Sequence, residues 1–160
     1  MMEREHIPSF HHSNIPPVGR ILAVDWGQRR IGLALSDETQ TLAQPLTTLT
    51  RRAGKRFPMA QLLDQITRNQ VVGIIVGLPL DEAGAEGDAA HAARSLADDI
   101  KRRVGELEVS MWDERMTTAR VLAAVREMGG STRGRKEDVD AMAAALLLQH
   151  YLDARKGSAL

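Results

Sequence analysis

Acidic residues stand where three apolar segments of this 160-residue sequence end or begin. They are Asp25, the adjacent pair Asp113 and Glu114, and the spaced pair Asp138 and Asp140. In α/β sheets, ligands collect beyond the carboxyl ends of the strands. Hard divalent cations such as Mg²⁺ or Mn²⁺ prefer oxygen ligands, and two such ions about 4 Å apart can clamp a phosphodiester. The positions of these acids therefore favour metal-assisted attack of water on a phosphodiester bond.

Simpler roles compete with metal binding at each acid. A single Asp at a strand end commonly forms a turn or caps a helix. Asp25 departs from that pattern because it directly follows the apolar run Ile21–Val24. Burial of its charge there would be costly unless the carboxylate is paired or metal-bound. An ion pair with Arg29 or Arg30 would satisfy Asp25 without any metal.

Only one acid of each pair can join such a site. Neighbouring side chains on a strand point to opposite faces, so Asp113 and Glu114 diverge. Positions two apart on a helix are separated by about 200°, so Asp138 and Asp140 also diverge. We expect the second member of each pair to cap a helix or to complement a helix N-terminus. The residue pattern alone does not choose within either pair.

The elements that carry these acids alternate along the chain from Arg20 onward. Apolar patterns predict strands over 20–25, 30–36, 42–49, 71–78 and 107–114, and helices over 57–69, 88–103, about 117–128 and 139–152. The first two strands predict a hairpin, and Pro45 makes the third strand an edge or irregular strand. The uninterrupted run 71–78 predicts a central strand.

This order implies an α/β, ribonuclease-H-like mixed sheet flanked by helices. Three strands would form an antiparallel meander, and the later strands would add in parallel. We expect residues 1–18 to be a disordered extension, 19–155 to form one nuclease domain and 156–160 to be a tail.

Composition excludes several other classes of protein. Hydrophobic residues make up 43% and charged residues 26%, which is ordinary for a soluble domain. The absence of cysteine excludes disulfides, thiol nucleophiles and thiolate metal sites. The 21 basic and 21 acidic residues cancel, which argues against indiscriminate polyanion binding. No apolar run approaches the roughly 20 residues of a membrane span, so we expect a cytoplasmic protein without membrane contact.

Four stretches of the sequence resemble the YqgF/RuvX family. They are VDWGQRRIGLALSD, IIVGLPLDEAGAEGDAA, WDERMTT and RKEDVDAMAAALLLQHYLD, and they follow one another over nearly the whole chain after Arg20. Members of this family are RuvC-like nucleases of the ribonuclease-H superfamily. They are described as Holliday-junction resolvases and as the nuclease that processes the ends of pre-16S ribosomal RNA.

The resemblance implies choices among the acids that spacing leaves open. The first-strand acid of the family corresponds to Asp25, the acid of its DER-T-T motif to Glu114, and the acid of its VDxxAA stretch to Asp140. These three residues would be catalytic and would bind Mg²⁺ or Mn²⁺, as two ions.

Basic residues lie in or beside the predicted loops. Those that we expect to contact nucleic acid are Arg29, Arg30, Arg115, Arg135 and Lys136. Arginine forks match phosphate oxygens, so recognition would be of backbone and shape. Arg29 and Arg30 would either meet phosphate or balance the acid before metal binds. Trp26 and Trp112 are expected to pack beneath the site, with stacking on a base as the alternative.

These observations favour a metal-dependent endonuclease acting on structured nucleic acid, as a monomer or weak homodimer. The expected substrate is pre-16S rRNA, with branched DNA as the alternative. Two other classes stay open: an actin-like or sugar-kinase-type ATPase domain, and a non-catalytic module whose acids pair with arginines. We expect the acidic loop 81–88 to be mobile, and Asp37 to lie at the far end of the sheet from the metals.

Overall fold

The computed structural model describes residues 14–52, 54–115 and 136–158, with the side chains of 139–157 in the last segment. Within these residues the strands are β1 (Arg20–Asp25), β2 (Arg30–Ser36), β3 (Ala43–Thr50), β4 (Val71–Leu78) and β5 (Glu108–Asp113). The helices are α1 (Met59–Arg68), α2 (Asp88–Val104) and α3 (Lys136–Ser158). The bounds predicted for β1, β2 and β4 are confirmed, whereas the helix predicted over about 117–128 lies outside the described residues.

The strands form one mixed sheet in the order β3-β2-β1-β4-β5. β1, β2 and β3 are joined by antiparallel pairing. β1 pairs in parallel with β4, and β4 in parallel with β5. The predicted meander with added parallel strands is confirmed. β1, β4 and β5 therefore end together at one end of the sheet, which we call the carboxyl end, and β2 begins there.

Helices pack against both faces of the sheet. The core on the α1 and α2 side contains Leu22 and Val24 of β1. The core on the α3 side contains Ile21 and Ala23, which alternate with them. Every residue of β1 after Arg20 is buried, and β4 is buried except at its second residue. Burial on both faces explains why these two strands are uninterrupted apolar runs.

The edge strand is shifted by one residue from its predicted bounds of 42–49, and the last helix is longer than predicted. β3 lies at the end of the strand order, and its pairing is irregular next to Pro45, which confirms the edge position. α3 spans Lys136–Ser158, well beyond the predicted 139–152. Its flanking Lys, Glu and Arg residues carry no apolar pattern but have high helix propensity. None of the helices in the described ranges is long and apolar enough to cross a membrane.

The described structure begins before the predicted domain boundary. Residues 1–13 lie outside the described residues, but Asn14–Val18, predicted to be disordered, are part of the structure. Ile15 is buried in the core on the α3 side. Gln40 Nε2 donates to the carbonyl of Pro16 at 2.7 Å, and Arg155 donates to the carbonyl of Ile15. A buried apolar side chain and satisfied carbonyls thus anchor this segment, which corrects the boundary at residue 18.

Candidate active site

Asp25 ends β1 on the face of the sheet that α3 covers. It continues the alternation of Ile21 and Ala23, and its side chain is only 2% exposed. Its partner on β2 is Gly32. On the other side Val24 pairs with Val76, so the next position on β4, beside Asp25, is Gly77. The predicted carboxylate thus lies between two glycines on neighbouring strands, which leave room beside it because they have no side chains.

The glycine on β2 makes room for the backbone of α3. A Cβ atom at Gly32 would overlap the carbonyl group of Asp140. The helix therefore crosses β2 at the position directly beside Asp25. Asp140 is fully buried, so its side chain points into the protein. The backbone of Asp138 belongs to α3, but its side chain lies outside the described part of the chain.

The glycine on β4 makes room for Glu114. A Cβ atom at Gly77 would lie 3.1 Å from Oε2 of Glu114, so this carboxylate lies directly over β4. Trp112 belongs to the core on the α3 side, and alternation returns the side chain two residues later to that face. Asp113 points the other way and bonds to Arg115. The structure thus separates the two adjacent acids and places Glu114, not Asp113, near Asp25.

Arg30 pairs with the helix acid of this group. Its Nε atom donates to Oδ2 of Asp140 at 2.7 Å, and the arginine side chain is 24% exposed. The sequence proposed Arg30 as a partner for Asp25, but the ion pair that the structure shows is with Asp140. A buried carboxylate is costly unless it is paired, and Arg30 offsets that cost. Arg29, the next residue in the turn, is exposed to solvent.

The carboxylates have the chemistry and placement that a hard divalent ion requires. Asp25, Glu114 and Asp140 occupy one face at the carboxyl end of the sheet, packed over Gly32 and Gly77, where an added Cβ atom would collide with the backbone of Asp140 and crowd the carboxylate of Glu114. Within the described residues, however, no group of three His, Asp or Glu side chains is close enough to hold an ion. One carboxylate oxygen of Asp140 is already bonded to Arg30 in this structure. The residue types therefore fit a metal, and the carboxylates would have to draw together to bind it.

Arg115 is held in place by the acid that the site does not use. Its backbone N–H and its Nε atom donate to the two carboxylate oxygens of Asp113, both at 2.9 Å. This hydrogen bond and the charge of Asp113 raise the pKa of Arg115 above its ordinary value. The guanidinium also lies against Gly84 of the loop after β4. Of the other predicted cations, Arg135 lies outside the described residues, and of Lys136 only the backbone is described.

The loop after β4 is folded through its own hydrogen bonds. Asp81 Oδ1 accepts from the N–H of Ala85 at 2.8 Å, and the N–H of Asp81 donates to the carbonyl of Ala85 at 3.0 Å. Leu80 and Glu86 form an isolated antiparallel bridge. The sequence predicted a mobile loop here. An Asp followed three residues later by Gly is a turn signature, and it could have identified this compact turn.

Both tryptophans pack within the protein, as predicted. Trp26 packs against the core on the α1 and α2 side. Trp112 is buried under α3, where its ring lies edge-on to Tyr151 with 5.3 Å between centroids. Its Nε1 atom donates to Nδ1 of His150 at 2.9 Å. The sequence did not indicate His150, but this hydrogen bond ties β5 to α3 two residues before Glu114.

Asp37 organises the turn at the opposite end of the sheet. Its carboxylate accepts hydrogen bonds from the hydroxyl of Thr39 and from the backbone N–H groups of Thr41 and Leu42. These bonds lower the pKa of Asp37 from 3.8 to about 2. Asp37 follows the last residue of β2, whereas the acids lie where β2 begins. Its predicted separation from the metal site is consistent with this placement.

Comparison with known proteins connects this arrangement to a family. A protein of Koribacter versatilis named "Putative pre-16S rRNA nuclease" is 43% identical over 137 residues, which cover 86% of this chain and 88% of that protein. A protein of the same name from Paramagnetospirillum magneticum is 39% identical over 140 residues, covering 88% and 89%.

Solved structures show the same fold. RuvC of T. thermophilus, in complex with a Holliday junction substrate, has a TM-score of 0.55 at 17% identity, covering 88% of this chain and 97% of that chain. This likeness confirms the predicted ribonuclease-H-like fold. The model of the RuvX family, described as Holliday junction resolvase, matches residues 19–154. The chain therefore belongs to the RuvX family.

Proposed function

We propose that the protein is a metal-dependent endonuclease that hydrolyses phosphodiester bonds of structured nucleic acid, and that its substrate is the ends of pre-16S rRNA. The observation that carries this proposal is the placement of Asp25, Glu114 and Asp140 on one face at the carboxyl end of the sheet, where Gly32 and Gly77 let α3 and Glu114 approach. The names of relatives that align over most of their length support RNA as the substrate.

The chain would contribute rigid positioning to this reaction. When bound by Asp25, Glu114 and Asp140, a divalent ion would stabilise negative charge on the phosphoryl group and lower the pKa of water. The carboxylate of Asp25 is held by the central strand and that of Asp140 by α3, which contacts β2 through Gly32. Regular elements would fix the backbone of these acids, so that only their side chains need to move to reach the ion.

The arginines would serve the substrate. Arg30 offsets the charge of Asp140 in the free protein. When a bound divalent ion neutralises the carboxylate of Asp140 instead, the guanidinium of Arg30 would be able to donate to a phosphate oxygen. Arg29 is already exposed in the same turn, and Arg115 is held beside Glu114 by Asp113. We propose that these side chains, with Arg135 and Lys136, contact the nucleic-acid backbone.

The proposal also includes a cytoplasmic location and a monomer or weak homodimer.

A cleavage assay on two substrates tests the function. Purified protein is incubated with a pre-16S rRNA end fragment or a four-way DNA junction, each with Mg²⁺ or Mn²⁺. Wild type is compared with Asp25→Asn, and Asp64→Asn is the matched control because Asp64 is an exposed acid on α1. We expect metal-dependent cleavage of the RNA by wild type and the control, and none by Asp25→Asn.

Two outcomes decide between the alternatives. Cleavage of the junction in preference to the RNA would favour a resolvase, which the family description and the RuvC-like fold also support. Symmetric resolution would then require a two-fold dimer. The absence of cleavage of either substrate by wild type with either metal would refute the nuclease function.

A further inference from the structure

A solvent-open cavity of about 390 Å³ lies between the start of α1 and the end of α2. Its lining residues are Arg56, Phe57, Met59, Asp99, Arg102 and Arg103. In the sequence these residues belong to two separate basic stretches, one in the loop before α1 and one in the last turn of α2. The fold brings the two stretches together around a single concave surface. Its volume falls within the roughly 300–1,000 Å³ typical of small-ligand sites.

The cavity combines positive charge with an apolar floor. Arg56, Arg102 and Arg103 are exposed, and Asp99 offsets one of the three charges by pairing with Arg102. Phe57 and Met59 are half-buried and pack against the core on the α1 and α2 side. Guanidinium groups bind phosphate oxygens in pairs of hydrogen bonds, and a fixed aromatic side chain offers a surface on which any base can stack. This combination matches one nucleotide of a single strand.

A basic loop connects the cavity with the turn beside the acids. β3 ends at Thr50, which pairs with Arg30. The N–H of Arg51 then donates to the carbonyl of Arg29 at 2.7 Å. The following residues, among them Arg52 and Lys55, lead to Arg56 at the cavity rim. Six extended residues span at most about 20 Å, so the cavity is within reach of nucleotides that flank the cleaved bond.

We propose that this cavity binds a nucleotide of single-stranded RNA adjoining the cleavage position, with its phosphate on Arg56 and Arg103 and its base on Phe57 and Met59. The inference rests on the proposed nuclease function, because it names where a further part of that substrate is held. The cavity lies on the α1 and α2 side of the sheet, whereas the acids face α3. The bound strand therefore passes round the sheet along the basic loop.

Binding of RNA to an inactive protein tests the cavity directly. A fluorescently labelled fragment of the pre-16S rRNA end is titrated with Asp25→Asn protein at several salt concentrations. Two variants are made in this background. One combines Arg56→Gln with Arg103→Gln, and the other is Phe57→Leu, which retains an apolar side chain but removes the ring. The matched control combines Arg68→Gln on α1 with Lys101→Gln on α2, two exposed cations that do not line the cavity.

The double arginine variant should raise Kd about 10-fold or more, because two charged hydrogen-bond donors to phosphate are removed. It should also reduce the slope of log Kd against log salt by about 0.7 for each phosphate that the protein no longer neutralises. Phe57→Leu should raise Kd about 10-fold with the salt slope unchanged, because stacking is not electrostatic. The control pair should leave Kd within about 2-fold of the parent.

Specific results would overturn the inference. Equal affinity of the double arginine variant and the control would refute the cavity as a binding site, provided that wild type cleaves the same RNA. A change in affinity for a four-way DNA junction without a change for RNA would refute the choice of ligand. Failure of wild type to cleave either substrate would instead count against the nuclease function itself.

Discussion

Replacement of Arg30 by Gln tests whether this arginine occupies Asp140 in competition with a metal ion. Asp140 is fully buried, and Nε of Arg30 lies 2.7 Å from its Oδ2. Breaking a buried ion pair by removing one partner costs about 3–5 kcal/mol. Arg30 is 24% exposed, and Gln can still donate one hydrogen bond worth about 1 kcal/mol, so we expect a cost at or just below the lower limit of this range. The variant should lose about 2–3 kcal/mol of unfolding free energy, or roughly 5–10 °C in Tm.

Metal should reverse this loss. At the proposed metal site, part of the binding free energy of Mn²⁺ in wild type would be used to separate Arg30 from Asp140, and Arg30→Gln would remove that cost. We expect the variant to bind Mn²⁺ about 10-fold more tightly. A free concentration of 100 times Kd adds about 2.7 kcal/mol of stability, enough to return the variant to the Tm of metal-free wild type. Calorimetric titration gives Kd, and thermal unfolding across a Mn²⁺ series gives the stability.

The neighbouring variant Arg29→Gln is the control for this experiment. Arg29 is exposed in the same turn, so the change removes an equal charge without breaking the pair with Asp140. Its Tm and its Mn²⁺ affinity should match those of wild type. The reasoning fails if Arg30→Gln binds Mn²⁺ more weakly than wild type, since Arg30 would then assist metal binding. It also fails if the metal-free variant is as stable as wild type.

Three further changes address the supports of the site and the far end of the sheet. Gly32→Ala places a Cβ atom on the carbonyl of Asp140, and the shift of α3 should cost about 2–3 kcal/mol in urea unfolding and abolish cleavage; unchanged stability would contradict the close approach of the helix. Because its pKa is lowered to about 2, Asp37 contributes stability that is present above pH 3.8 and lost as pH falls toward 2. Asp37→Asn should therefore make the urea concentration at the unfolding midpoint depend less on pH between pH 5 and pH 2.5, and a pH profile identical to that of wild type would refute this. His150→Phe removes the acceptor for Trp112 and should cost about 1 kcal/mol in the same unfolding assay, while a stabilised variant would show that the hydrogen bond is dispensable.

The sequence predicted the elements best where burial was most complete. The bounds of β1 and β4 were confirmed because residues buried on both faces leave an uninterrupted apolar run. The end of α3 was underestimated because its charged last turns carry no such pattern. Asn14–Val18 was misjudged because one buried Ile among polar and proline residues leaves almost no local signal.

The candidate site was predictable in its acids but not in their pairing. Asp25 could be recognised from the local pattern alone, because it is a carboxylate that directly follows an apolar strand. The choice of Glu114 depends on which face of β5 lies under α3, and spacing does not contain that information. The partner of Arg30 is 110 residues away in the chain, so no local pattern could have separated Asp140 from Asp25 as its acid. The role of Gly32 and Gly77, which leave room for α3 and Glu114, can be recognised only from the packing in the structure.

The contact of α3 with Gly32 also sets when the acid site can assemble during synthesis. The first hairpin is made early, but the helix that covers it and contributes Asp140 is made last among the described elements. Until that helix leaves the ribosomal exit tunnel, Arg30 lacks its carboxylate and the α3 side of β1 is uncovered. A nascent chain therefore holds only part of the acid set. Under the proposed function, cleavage would therefore begin only after α3 has left the exit tunnel and packed on the sheet.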